Sequence, residues 1–201
     1  MCFFSQQSKS AQELEHRFNA TFEQKALYEP RTYNGFQFPK TPVITNEHPD
    51  KIQLFHWGLI PPWANDISIR KHTLNAKIET IHEKPSYKML THKRCFVLVD
   101  GFFEWKHLDN KGKIKQKYLI TLPDNEAFAL AGLYNTWINP LGEIMDTYTI
   151  LTMPANALMS KIHNSKKRMP VILHPDSETA WLENYFNQFQ EVALIATPIH
   201  L

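Results

Sequence analysis

Cys2 directly follows Met1. A small residue after the initiator is the usual signal for removal of the methionine, and Cys2 would then carry a free α-amine and a thiol on one residue. The amine adds to an aldehyde to give a Schiff base. The thiol can then close on the same carbon to give a five-membered thiazolidine. Cys95, the other cysteine, cannot do this, because its nitrogen is a peptide amide. A chain that keeps Met1 has the same defect at Cys2: an amide nitrogen is planar and non-basic. Taken alone, Cys2 also fits an ordinary small apolar N-terminus.

Three further residues have types suited to such chemistry. Glu104 lies in Gly101-Phe102-Phe103-Glu104-Trp105, flanked by three aromatics. A carboxyl there is either desolvated, with a raised pKa suited to proton transfer near neutral pH, or turned out to solvent. His163 follows a segment, Met153-Pro154-Ala155 to about Ile162, that is expected to be a helix opened by Pro154. A helix C-terminus favours imidazolium, so His163 is either a proton shuttle or a surface histidine. Asn75, in Thr73-Leu74-Asn75-Ala76-Lys77, can hydrogen-bond a terminal amine or simply close a turn. Trp57 and Trp63 bracket Gly58-Leu59-Ile60-Pro61-Pro62. On a loop they would stack on bases; otherwise they cover the core.

The net charge is only +2, but it is unevenly spread. Residues 70–94 hold Arg70, Lys71, Lys77, Lys84, Lys88, Lys93 and Arg94 against Glu79 and Glu83. Residues 161–168 hold Lys161, Lys166, Lys167 and Arg168 with no acid. If the two segments meet in space they can track a phosphate backbone; otherwise they are two solvated faces. Two cysteines are too few for a disulfide framework, and a reducing cytoplasm is the default. No apolar run is long enough to span a bilayer, and no basic-then-apolar leader opens the chain. Phosphate-binding glycine loops, an esterase elbow, HExxH and CxxC are all missing, so no cofactor and no metal are expected.

The elements that must carry these residues can be read from periodicity. Ser10-Ala11-Gln12-Glu13 is a capping box, and Ala11, Leu14 and Phe18 share one helical face. Strands are expected at Val43–Thr45, across Ile52, Leu54 and His56, at Arg94–Asp100 and on through Lys106, and at Lys117–Thr121, Phe128–Tyr134 and Asp146–Thr152. Arg168–Leu173 and Val192–Thr197 complete the set, and short helices are expected at Pro85–Lys93 and from Ser177, capped by Asp176, to about Asn184. Such short strands at regular spacing predict one α+β domain over residues 1–201, built on a mostly antiparallel sheet or barrel with short flanking helices.

The ordered set Met1-Cys2, Trp57-Gly58-Leu59-Ile60-Pro61, Asn75-Ala76-Lys77-Ile78-Glu79-Thr80, Gly101-Phe102-Phe103-Glu104-Trp105, Ala131-Gly132-Leu133-Tyr134 and His163 followed by Arg168-Met169-Pro170 resembles the SRAP family, the SOS-response-associated peptidase-like proteins. The resemblance spans nearly the whole chain. It implies capture of abasic sites in single-stranded DNA, by a thiazolidine between the N-terminal cysteine and the ring-opened sugar. It implies Cys2 as nucleophile, Asn75 as the residue positioning its amine, and Glu104 in the proton transfers. His163 would serve Schiff-base chemistry, a lyase side reaction and slow reversal. Lys77 and Arg168 would hold phosphates. The expected protein is a monomer in the cytoplasm, associated with the nucleoid, with Met1, when retained, lying where DNA enters. Asn164-Ser165-Lys166-Lys167 separate His163 from Arg168, where the family has about one residue, which bears on the role of Arg168. Two other readings stay open: a thiol autopeptidase pairing Cys2 with His163, and a non-covalent single-strand or RNA-binding module.

Overall fold

A computed structural model describes residues 2–183 and 189–199. Met1, and the expected helix end at Asn184, lie outside the described residues. The first half of the chain forms β1 (Phe4–Gln7), α1 (Ala11–Phe18), β2 (Thr21–Phe22), β3 (Arg31–Asn34), β4 (Lys40–Thr45), β5 (Lys51–Trp57), β6 (Asn75–Lys77) and β7 (Arg94–Val99). The second forms β8 (Gly101–His107), β9 (Lys115–Thr121), β10 (Phe128–Ile138), β11 (Ile144–Pro154), α2 (Ala157–Ile162), β12 (Arg168–Pro170), β13 (Ile172–Leu173), α3 (Pro175–Leu182) and β14 (Ile195–Ile199). None of the helices is long and apolar enough to cross a membrane.

Strands β5, β4, β7, β10 and β11 pair in that order, antiparallel. A short parallel contact, Thr147 with His56 and Tyr148 with Trp57, joins β11 back to β5 and closes a five-stranded barrel. A second sheet runs β14-β9-β8-β1-β3. The unbroken apolar run of β7 follows from burial on both faces. Cys95, Val97 and Val99 pack with Phe55, Trp57 and Tyr148, whereas Phe96 and Leu98 pack with Leu14 of α1 and Trp181 of α3.

The chain leaves the barrel for the second sheet at Asp100. The Asp100 N–H donates to the Gln6 carbonyl at 3.0 Å, and its carboxylate accepts the Ser8 N–H at 3.1 Å and the Ser8 hydroxyl. Residues 101–106 are therefore a separate strand in another sheet rather than an extension of β7. This turn sets β8, with Glu104, beside β1, which begins two residues after Cys2.

Local signals explain the helices and also the misjudged ends. In α1 the Glu13 N–H donates to Ser10 Oγ at 3.3 Å and the Ser10 N–H donates to Glu13 Oε2 at 2.7 Å, which is the expected capping box. Pro154 ends β11 instead of opening α2, which is capped by the Asn156 side chain accepting the Met159 N–H at 2.9 Å. His174, not Asp176, caps α3, and Pro175 takes the first helical position. Residues 85–93 form successive turns and no helix. Leu90 donates back three residues to Tyr87, and Lys93 three residues to Leu90, so no i→i−4 ladder develops. The last strand starts at Ile195, three residues later than its apolar run suggests.

Candidate active site

Cys2 is buried, with its Sγ 3.7 Å from the Phe4 carbonyl. Burial pushes its thiol well above the ordinary value, and the Glu104 carboxylate nearby adds to the effect. Asn75, the first residue of β6, donates from Nδ2 to the Cys2 carbonyl at 2.8 Å. Its Oδ1 is buried and has no hydrogen-bond partner among the described residues. Asn75 is thus no mere turn-closer: one end of its amide holds Cys2, and the other is an unused acceptor. Its place is fixed by β6 lying parallel to β11, with Asn75 opposite Ile150 and Lys77 opposite Thr152.

Glu104 is 4 % exposed. β8 is buried on both faces from Gly101 to Glu104, so the Glu104 side chain lies inside the fold and is not turned out to solvent. It borders a cleft of about 150 Å³ together with Phe3, Trp105, His107, His163, Ser165 and Lys166.

His163 is the C-cap of α2 and is buried. Its Nδ1 lies 2.8 Å from the Arg168 carbonyl and 3.3 Å from the Arg168 N–H. Both contacts tie the ring to the Arg168 backbone and fix its orientation. The four residues after His163 form a folded turn rather than a loose insertion. The Lys167 N–H donates to the His163 carbonyl at 2.8 Å, and Lys167 itself is left-handed at φ 50°. Asn164 clamps the turn to β8: its Nδ2 donates to the His107 carbonyl at 2.9 Å and its Oδ1 accepts the His107 N–H at 3.0 Å. The insertion thereby places Ser165 and Lys166 in the cleft.

The two basic segments do meet. β6 and β12 both pair with β11 at Thr152, Lys77 on one side and Pro170 on the other. Lys77 is exposed, two residues from Asn75 on the same strand face. Other cations of the first segment are structural: Arg70 is buried over the Phe38 ring at 4.3 Å, and Arg94 lies over Trp181 at 4.4 Å.

One expected DNA contact needs correction. Trp57 is fully buried, stacked at 16° on Tyr148 with centroids 6.2 Å apart, and donates from Nε1 to the Leu74 carbonyl at 2.8 Å. No face is left for a base. Gly58, at φ 110°, turns the chain sharply just after it. Trp63, by contrast, is 53 % exposed, with its Nε1 anchored to the Pro85 carbonyl at 3.1 Å. Arg168 is committed to protein partners: it grips both carboxylate oxygens of Glu79, with Nη2 to Oε2 at 2.9 Å, and donates to the Thr152 carbonyl at 2.6 Å. It thereby joins the two basic segments.

That ion pair has a pH signature. Hydrogen bonding from Arg168 holds the Glu79 carboxyl below its usual value of 4.5. A carboxylate whose folded pKa is depressed stabilises the fold above its unfolded pKa and loses that contribution as pH falls through the folded one. Glu79 is partly exposed, so the contribution is at most about 1 kcal/mol. Arg168→Met should therefore make unfolding stability less steep in pH below about 4.5. Identical slopes in urea titrations of the two proteins would remove the pair from the acid response.

Comparison with known proteins agrees with this arrangement. A family model described as SOS response associated peptidase (SRAP) matches residues 1–200. The "Abasic site processing protein YoqW" of Bacillus subtilis is 45 % identical over 141 residues, covering 70 % of this chain and 61 % of that protein. The "Abasic site processing protein HMCES" of Gallus gallus is 36 % identical over 152 residues, covering 63 % of this chain and 44 % of that protein. The chain thus spans less than two thirds of the length of these relatives, 61 % of one and 44 % of the other. A crystal structure of a Bacteroides thetaiotaomicron protein superimposes with a TM-score of 0.89 at 34 % identity, over 99 % of this chain and 92 % of that one. With its order of motifs, its fold and a family match from end to end, the chain belongs to the SRAP family.

Proposed function

We propose that this protein captures abasic sites in single-stranded DNA, once Met1 has been removed, by closing a thiazolidine between Cys2 and the sugar aldehyde. What carries the reading is the tie between Cys2 and the cleft: Asn75 holds the Cys2 carbonyl, and Glu104 and His163 line the cleft next to it. The names of the relatives point to the same substrate.

The chemistry follows from these groups. The free amine adds to C1′ of the open sugar, giving a carbinolamine. Protonation of its hydroxyl, by Glu104 or His163, expels water and leaves an imine. The thiol adds to the imine carbon and its proton passes to nitrogen, so one water is lost overall. The unused Asn75 Oδ1 is suited to accept an N–H of the freed amine. A thiol kept protonated can deliver that last proton. It is poorly suited to a peptidase, which needs the thiolate, and this disfavours the thiol-protease reading. Strand cleavage is the side reaction: the imine acidifies C2′, His163 takes a proton there, and the 3′ phosphate leaves as the C3′–O bond breaks. Lys77 supplies a phosphate contact, as a point charge without arginine's two-pronged geometry. Every group of the cleft comes from one chain, so a monomer suffices.

The test is a denaturing gel with abasic and intact single strands, run on protein with Cys2 N-terminal and on protein retaining Met1. An SDS-stable band should form only with the abasic strand and only with the processed protein, at the summed mass less one water. An adduct whose mass still includes Met1 would rule out the α-amine. Binding to either strand should weaken with salt and with Lys77→Glu. Loss of capture with intact-strand binding unchanged would show that Lys77 is no phosphate contact.

A further inference from the structure

Phe36 is a large aromatic left 54 % exposed, although the turn that carries it is rigid. That turn, residues Gly35–Gln37, is locked onto the N-terminal strand beside Cys2. The Gly35 N–H donates to the Phe3 carbonyl at 2.8 Å, and Asn34 Oδ1 accepts the Phe36 N–H at 3.1 Å. A Cβ at position 35 would lie 3.2 Å from both the Phe3 carbonyl oxygen and the Trp57 ring, a tight fit that would push one of them back. Behind the turn, Phe38 is left-handed at φ 50°, under the Arg70 guanidinium.

The Phe36 ring rests on Phe3, with centroids 4.8 Å apart and planes at 31°. It also meets Phe4 edge-on at 6.5 Å, and Phe4 meets Trp105 at 5.1 Å. Phe3 and Trp105 line the cleft that holds Glu104 and His163. Cations accompany this aromatic strip: Lys166 in the cleft, and Lys117 with its Nζ 5.7 Å above the Trp105 ring. Aromatic faces interleaved with cations along one path are what a single strand needs, stacking for its bases and neutralisation for its phosphates. The turn is already ordered, so binding need not freeze it.

We propose that Phe36, seated on Phe3, is the stacking platform for the nucleobase next to the reacting sugar, and that it gives the protein a preference for a purine at that position. This deepens the abasic-site reading above and rests on it. A purine overlaps a phenyl ring over more area than a pyrimidine does, which sets the direction of the preference. Nothing in the residue types around Phe36 distinguishes adenine from guanine.

The test uses single strands carrying a tetrahydrofuran abasic analogue, which has no aldehyde, with adenine or thymine on each side in turn. The wild-type protein should bind one adenine-flanked strand several-fold tighter than its thymine counterpart. Phe36→Ala should weaken binding of that strand roughly tenfold and erase the preference. Phe36→Tyr should keep both, and melting curves of the two variants should match the wild type, since the ring is half out in solvent. A preference that persists in Phe36→Ala, or that the wild type lacks, overturns the proposal. Capture is scored separately on true abasic strands. If no SDS-stable adduct forms there while the Phe36-dependent preference holds, the capture reading fails and the platform stands. If adduct forms and Phe36→Ala equals wild type for every neighbour, the platform alone fails.

Discussion

Cys2→Ala should reduce the heat- and SDS-stable adduct to background while leaving a Schiff base that borohydride can trap. Alanine keeps the α-amine, and the small buried side chain at position 2 can be shortened with little disturbance of its neighbours. What is lost is the second bond. An imine alone hydrolyses readily, whereas the thiazolidine holds the carbon by nitrogen and sulfur. Capture by the wild type should rise with pH toward about 8, because the amine must be unprotonated to add and α-amines titrate near there. Cys95 is the internal control: it is buried in the barrel, so Cys95→Ala should leave the adduct intact. A stable adduct at wild-type level in Cys2→Ala would end the thiazolidine mechanism.

The second large effect separates the two tryptophans. Trp57→Ala removes the indole from the inside of the barrel beside the β5–β11 closure. It also removes one of two donors to the Leu74 carbonyl, which keeps the Ile150 N–H at 3.2 Å. Emptying such a site costs about 3–5 kcal/mol. For a chain of this size that is a fall in Tm of roughly 10–15 °C. Trp63→Ala should shift Tm by a few degrees at most, since the ring is largely in solvent, yet it should weaken single-strand binding if the exposed indole meets a base. Equal melting temperatures for the two variants would contradict the burial described here.

Much of this was legible before any coordinates. The alternation of β5 and β8 and the continuous run of β7 gave strands with the right residues. That Glu104 is buried shows only once β8 is packed, for both faces of the strand are covered as far as Glu104. Sequence could not supply that last step, because the packing depends on the bend at Asp100, made by hydrogen bonds to residues more than ninety positions away. Trp57 failed as a DNA contact, and the pairing of Arg168 was missed, for a similar reason. A cation in a basic run and an aromatic beside a turn carry no local sign that a distant Glu79 or Tyr148 already occupies them. Phe36 went unassigned because its turn is rigid only through Phe3, some thirty residues earlier. Residues 85–93 misled because a proline and regularly placed Tyr87 and Leu90 imitate a helix start, whereas burial at each turn fixed their spacing.

The grip of Asn75 on Cys2 also sets a schedule for biosynthesis. On the reading proposed above, the initiator methionine must be cut away to free the amine. Once folded, the chain keeps Cys2 out of solvent with its carbonyl held by a residue 73 positions later. An aminopeptidase needs an extended, accessible terminus, and a chain still unfolded around Cys2 offers one. The ribosome supplies the opening. At about 5–20 residues per second, His163 follows Cys2 out by roughly ten to thirty seconds, and until then the pocket does not exist. The nascent chain is therefore the first window for trimming, before Asn75 takes hold of the Cys2 carbonyl.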